Sequence, residues 1–457
     1  MHDRVKSRAR RQIPAVTRVL DALGDYDLPR LMIVDLVRRE LSQIRARSEV
    51  PEFESIVDLI RRSLDELRAS RLQPIINGTG IVIHTNFGRA PLAPDAIRAL
   101  GEASSGYSNL EYDLATGERG RRGAYVENAL ALLCGAESAA VVNNCAAALV
   151  LIVHHFTRLK PEVVISRGEM VQIGGGFRIG EIIEATGAKL REVGATNKTT
   201  ASDYSRVIGR ETGMILKVHR SNFFMSGFVR SPSTAEIAGI VRKKRSPFVE
   251  DLGSGAIVAT EQFGIAEHEP TPSEALKDGA DLVCFSGDKL FGGPQAGIIA
   301  GKRRFVAALI REPLFRALRC DKLCLAALQA TVDLHLNQSA AGIPAMVLLQ
   351  ISEDELRARA TAIAKRLENV SAKVAIGRST VKVGGGTLPK STMPSVTIEI
   401  VPTNCSLADL AIRLRNARPP VIGHIANECF KLDLRTIFPQ QDDLVVAAIR
   451  AACAKTR

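Results

Sequence analysis

From Ile75 to about residue 330, short β-branched runs alternate with helical segments, a rhythm that fits an α/β doubly wound, mainly parallel sheet. Strands are predicted at 139–143, 162–166, 189–193, 213–218, 247–251, 281–285 and 297–300, which makes seven. In such a sheet a ligand binds beyond the carboxyl ends of the strands. The residues that follow the predicted strands therefore matter most for function.

Three of those strand ends carry chemistry. Leu282-Val283-Cys284-Phe285 leads into Ser286-Gly287-Asp288-Lys289, and Gly292-Gly293-Pro294-Gln295-Ala296-Gly297 follows. A lysine forms a Schiff base only when part of its population is neutral, which favours a partly desolvated pocket over a solvated helix face. The apolar flank before Lys289 and the glycines after it provide that setting, although most lysines of so basic a chain are surface. Upstream, Pro247-Phe248-Val249-Glu250-Asp251-Leu252-Gly253-Ser254-Gly255 ends a strand in an aspartate. Asp251 could keep a pyridine nitrogen protonated, or could simply be a turn residue before glycine. In Ala139 to Leu149 a β-branched run meets Asn143-Asn144-Cys145-Ala146-Ala147. Amides at the start of a helix there could hold a phosphate, with Asn144 or Cys145 as cap and ligand. Strand-cap-helix junctions are common, so the order of all three carries more weight than any one.

The flanks read differently from the centre. Residues 1–70 form a small helical module in which Ile33, Val37, Leu41 and Ile44 make one apolar side and Arg38, Arg39, Arg45 and Arg47 lie among polar positions. Arg4, Lys6, Arg8, Arg10 and Arg11 precede it, as a frayed solvated end or as part of an RNA-docking module. Residues 71–335 are expected to be the large ligand-binding domain and 336–457 a compact α+β domain, with helices at 322–336, 353–369 and 407–416. A net charge of +12 points to a polyanionic partner, nucleic acid first, and with aromatics at 4% phosphate contacts would dominate over base stacking. The eight scattered cysteines show no pair of ligand spacings, so no metal site is expected; Cys320 and Cys324 are read as sharing a packing face. Neither a membrane span nor a signal peptide is apparent, and a cytoplasmic location is expected.

With these pieces in place the chain resembles, nearly end to end, the bacterial L-seryl-tRNA(Sec) selenium transferases, pyridoxal-phosphate enzymes of fold type I. The resemblance is carried by Ile76-Asn77-Gly78-Thr79-Gly80, Thr85-Asn86-Phe87-Gly88-Arg89, Tyr107 to Asp113, Ile165-Ser166-Arg167-Gly168-Glu169, Lys217-Val218-His219, Asp251 to Gly255, Ser286 to Lys289 and Arg316-Ala317-Leu318-Arg319. It implies that Lys289 binds pyridoxal 5'-phosphate as a Schiff base, with Asp251, Asn144, Cys145, Ala146 and Ser286 around the cofactor. It also implies that Arg89, Arg316 and Arg319 hold selenophosphate. Guanidinium forks suit a tetrahedral oxyanion, and Arg316 and Arg319, three apart on a helix, would share one side; an ordinary salt-bridged face would look the same.

The implied reaction converts serine esterified to selenocysteine tRNA into selenocysteine, by loss of the Cα proton to Lys289, β-elimination to an aminoacrylyl ester and addition of selenium at Cβ. Asp288 could tune Lys289 or assist the leaving hydroxyl. The family further implies tRNA docking by residues 1–70 and a homo-oligomeric ring of dimers, commonly a decamer. Cys145, Gln172 and Gly180 depart from the expected asparagine, glutamate and proline, and Gln172 removes a charge and a proton acceptor near the cofactor. Two rivals stand beside this reading: a pyridoxal-phosphate lyase of a small amino acid or amino sugar, and a catalytically idle tRNA-binding protein. The basic helical N-terminus counts against the first, and the retained lysine, aspartate and arginines against the second.

Overall fold

The computed structural model describes residues 13–47 and 49–454, so the basic cluster Arg4 to Arg11 lies outside the described residues. One compact unit takes the chain up to Ile75 together with Ile412–Val421; the other takes Ile76–Ala411 and the chain from Ile422 onward. Residues 336–411 are thus gathered in the same unit as the large sheet.

In the first unit, α1 (Val16–Leu23), α2 (Arg30–Arg45) and α3 (Phe53–Ala69) turn one apolar stripe each toward a shared core. Ile33, Val37, Leu41 and Ile44 are buried, as their helical spacing predicts, against Val19, Leu20, Ile56, Ile60 and Leu64. Tyr26 joins the connection to α3 through a 3.1 Å hydrogen bond from its hydroxyl to Asp65.

The second unit is built on a seven-stranded sheet. Its strands are β1 (Ser138–Val142), β2 (Glu162–Ser166), β3 (Lys189–Val193), β4 (Thr212–Val218), β5 (Phe248–Gly253), β6 (Leu282–Ser286) and β7 (Gly297–Gly301). All seven fall where the sequence places them. Their spatial order is β1-β7-β6-β5-β4-β2-β3, parallel throughout except that β7 runs antiparallel to both its neighbours. Both faces are covered, which is why β6 and β7 are buried in every position rather than alternating. Successive residues still part to opposite faces: Val283 and Phe285 enter one core, Leu282 and Cys284 the other.

A second sheet is dominated by the hairpin of β8 (Ala372–Gly384) and β9 (Thr387–Pro402), longer than the single strand read at 395–400. Ile81–Ile83 adds in parallel beside the end of β8, pairing Ile81 with Lys382 and Ile83 with Gly384. That pairing brings the chain leading to Arg89 next to the hairpin turn. No helix among the described residues is long and apolar enough to cross a membrane.

Candidate active site

Carboxyl ends of the sheet strands deliver the site. After β1, Asn144 adopts an extended conformation and its side chain accepts the Ala147 N–H at 2.8 Å, capping α4 (Cys145–Thr157). The Cys145 and Ala146 amides precede that capped one at the positive end of a 13-residue helix. Gly297 of β7 lies against this turn so closely that a Cβ there would overlap the Asn144 carbonyl oxygen. β5 carries Asp251, β6 ends at Ser286 just before Asp288 and Lys289, and β4 is followed by His219 to Asn222. Asn144, Cys145, Ala146, Asp251, Ser286, Asp288, Lys289 and Arg89 all line one cavity of about 720 Å³.

Electrostatics inside the cavity are set by burial. Lys289 keeps some exposure because it opens on the cavity, yet the protein packed around its amine lowers its pKa, with the Arg89 charge acting in the same direction against Cys145, Asp251 and Asp288. Burial raises the Asp251 carboxyl, against the pull of Lys289 and of hydrogen bonds from the Cys145 thiol and the Gly253 amide. Cys145 Sγ lies 3.5 Å from Asp251 Oδ1. Cys145, Asp251 and Cys284 bring their sulfur and carboxylate atoms within 4.8 Å of one another, a grouping invisible in the cysteine spacing. The Cys284 thiol is held well above its ordinary pKa by its hydrogen bond with Cys145 and by burial.

Arg89 is fastened to the residue beside the lysine. Its Nη1 donates to Asp288 Oδ1 at 3.0 Å and Oδ2 at 2.9 Å, and the Asp288 carbonyl accepts the Ala90 N–H at 3.1 Å. The Arg89 backbone itself sits at φ 65°, an uncommon conformation for a side-chain-bearing residue.

The other two arginines stand apart from this cavity's lining. Arg316 lies in the last turn of the helix Pro313–Leu318 and is exposed, whereas Arg319 lies one residue beyond that helix in extended backbone. The two therefore do not share a helix face, correcting the sequence expectation: the helix stops because the chain at Leu318 and Arg319 bonds along β1, with the Asn143 N–H donating to Leu318 at 2.9 Å. Arg319 pairs with Glu111 at 3.1 Å, and Arg122 and Arg119 pair with the same carboxylate at 2.9 and 2.7 Å. Three guanidinium groups around one carboxylate leave that cluster cationic.

Several residues in or near the lining were given no role in the sequence reading. Gly385 and Gly386, at the β8–β9 turn, reach the cavity with φ 65° and 73°, and a Cβ on Gly386 would come 3.9 Å from Lys289 Nζ. The run of three glycines was their signal. His219 lines the cavity with its Nε2 3.1 Å from the buried Glu269 carboxylate, and no local pattern announces a partner fifty residues away. Glu169 is buried, accepts the Val218 N–H at 3.0 Å, and is pushed up to about 7 by burial. Gln172, which the sequence reading did place near the cofactor, lines the cavity, and its backbone carbonyl accepts from the Asn222 side-chain amide at 2.6 Å.

The family model described as "SelA: L-seryl-tRNA selenium transferase" matches residues 75–438. Among curated proteins, the L-seryl-tRNA(Sec) selenium transferase of Carboxydothermus hydrogenoformans is 42% identical over 95% of each chain, and that of Hyphomonas neptunium 43% identical over 92% of each. A solved structure of D-glucosaminate-6-phosphate ammonia-lyase shares the fold with a TM-score of 0.57 at 20% identity, over 84% of this chain and 96% of that one. The match to the family model over most of the chain, with relatives above 40% identity along nearly its full length, means that the chain belongs to the L-seryl-tRNA(Sec) selenium transferase family.

Proposed function

We propose that this chain converts seryl-tRNA(Sec) to selenocysteinyl-tRNA(Sec) in the cytoplasm, with pyridoxal phosphate as cofactor and selenophosphate as selenium donor. The observation that carries the reading is the convergence of Lys289, Asp251 and the α4 N-terminus on one cavity in a chain of this family. The residues fit the cofactor group by group. The amides at the start of α4 suit a phosphate, the Asp251 carboxylate suits a cationic ring nitrogen, and the Lys289 amine, whose charge burial disfavours, suits an aldehyde. When bound there, the cofactor supplies an electron sink for the bond to the Cα proton.

The remaining work falls to side chains. Lys289 Nζ, kept partly neutral, takes the Cα proton and can return it. Asp288, held on two oxygens by Arg89, orients the lysine loop, and the proton that the leaving β-hydroxyl must gain is the one Lys289 has taken from Cα. Gln172 carries a neutral amide that cannot exchange a proton at neutral pH, which leaves the acid–base work to Lys289. Arg89, together with the cationic cluster that contains Arg319, and exposed Arg316, offers guanidinium groups to the donor anion. Residues 1–70 dock the tRNA body through phosphates, and the enzyme works as a homo-oligomer built from dimers.

The test is a single-turnover assay of cofactor-loaded protein with seryl-tRNA(Sec) and selenophosphate, with ordinary seryl-tRNA and free serine as controls. Conversion confined to seryl-tRNA(Sec) is the expected result. Turnover of a free amino acid regardless of tRNA would assign the chain to the lyase reading.

A further inference from the structure

A second cavity, of about 730 Å³, backs onto the catalytic one. The two share His219 as a wall, and the loop after β4 divides its side chains between them: Ser221 and Asn222 face the catalytic cavity, Arg220, Phe223 and Phe224 the second. The β8–β9 hairpin does the same, with Gly385 and Gly386 on the catalytic side and Pro389 to Thr392 on the other. Whatever occupies the second cavity is therefore separated from Lys289 by one loop and one turn.

Its lining pairs aromatic surface with cations. Phe224 is 52% exposed, and Lys390 Nζ lies 5.8 Å from the ring centroid. Arg220 has a buried Nη1 with no hydrogen-bond partner among the described residues, a donor left without an acceptor. The one acidic side chain among the described residues of the lining is already engaged: Glu267 accepts the Lys390 N–H at 3.0 Å and the Ser391 hydroxyl at 2.8 Å. Exposed ring surface beside Lys390 and Arg220 matches single-stranded nucleic acid, whose bases stack on aromatics and whose phosphates seek cations.

We infer that this cavity binds the 3'-terminal nucleotides of the tRNA, holding the aminoacylated end while the serine reaches Lys289. The inference rests on the reading of the substrate as an aminoacyl-tRNA. It adds the site that separates end recognition from docking of the tRNA body.

The experiment measures binding rather than turnover, so it stands apart from the activity assay. Affinities of cofactor-loaded protein are measured for selenocysteine tRNA with an intact 3' end and for the same tRNA trimmed of its last three nucleotides. Unaltered protein should bind the intact tRNA ~10-fold more tightly, the order expected for one stacked base. Phe224→Ala, and separately Lys390→Glu, should remove most of that difference while leaving the trimmed tRNA's affinity and the cofactor absorbance unchanged. Equal losses for both tRNAs, or a preserved difference between them in both variants, would overturn the inference.

Discussion

Removing Arg89 tests whether the pair with Asp288 organises the lysine loop. Asp288 is nearly buried, with 9% of its side chain exposed against 29% for Arg89. Breaking a buried pair by deleting one partner costs about 3–5 kcal/mol, because the remaining charge is left uncompensated. Here the partial exposure of Arg89 and the neighbouring Lys289 amine reduce this to about 2–3 kcal/mol for Arg89→Ala. A double-mutant cycle with Asp288→Asn, followed by urea unfolding of the unit, should return a coupling of about 1.5 kcal/mol or more. The same substitution changes Lys289. Arg89 lowers that amine's pKa, so its loss leaves Asp288 and Asp251 acting with less opposition and the pKa rises. The pH profile for imine formation with added pyridoxal should therefore move to higher pH in Arg89→Ala. Additive single-mutant effects within about 0.3 kcal/mol, together with an unmoved profile, would refute the argument.

Lys289→Ala should abolish the visible absorbance of the lysine-bound cofactor while tRNA binding, measured by filter retention, stays near its original value. Gly297→Ala should destabilise by about 1–3 kcal/mol and speed loss of cofactor on dialysis, since the new methyl collides with Asn144 at the helix cap. Gly239→Ala is its control, because none of the described residues outside the helix backbone and the adjoining positions lies within 4 Å of that site and the change should stabilise by about 0.5–1 kcal/mol. For Glu169, whose folded pKa is raised to about 7 from 4.5, the folded state binds the extra proton between those values. Its stability contribution is present below the lower value and lost as pH rises through the higher, so Glu169→Gln should remove a decline of about 3 kcal/mol across that window in urea titrations. Arg38→Ala with Arg39→Ala should flatten the salt dependence of tRNA binding by about one unit for each phosphate that is no longer neutralised; an unchanged slope would remove α2 from the docking surface.

Much of the sheet was legible because each strand is short, β-branched and bounded by residues that cannot continue it. β6 illustrates this: five buried positions end at Ser286, and Gly287 then lets the chain pass so close to Pro294 that a Cβ would fall 2.6 Å from its carbonyl oxygen. The same local chemistry exposed Lys289, Asp251 and Asn144, because each sits within three residues of a strand end. Arg316 and Arg319 fared differently. Three-residue spacing implied a shared helix face, but the backbone of Leu318 and Arg319 is claimed by pairing with the end of β1. A hydrogen bond to a strand so far upstream leaves no trace in local periodicity.

What stayed hidden in the sequence depends on long-range placement of groups that look ordinary alone. Glu269 reads as a surface acid between a histidine and a proline, yet it is 1% exposed and faces His219 across the cavity wall. Gly384-Gly385-Gly386 reads as a flexible turn, yet parallel pairing of β8 with Ile81–Ile83 carries it to Lys289. Both cases have the same cause. The chain beyond residue 336 returns to the cavity that the sheet begins, so one hairpin lines the catalytic cavity at its turn and the second cavity along its next strand. A substitution at Gly386 should therefore disturb Lys289 and, through β9, the surface proposed to hold the tRNA end. On the proposed reading, that link would put catalysis and end recognition on one structural element.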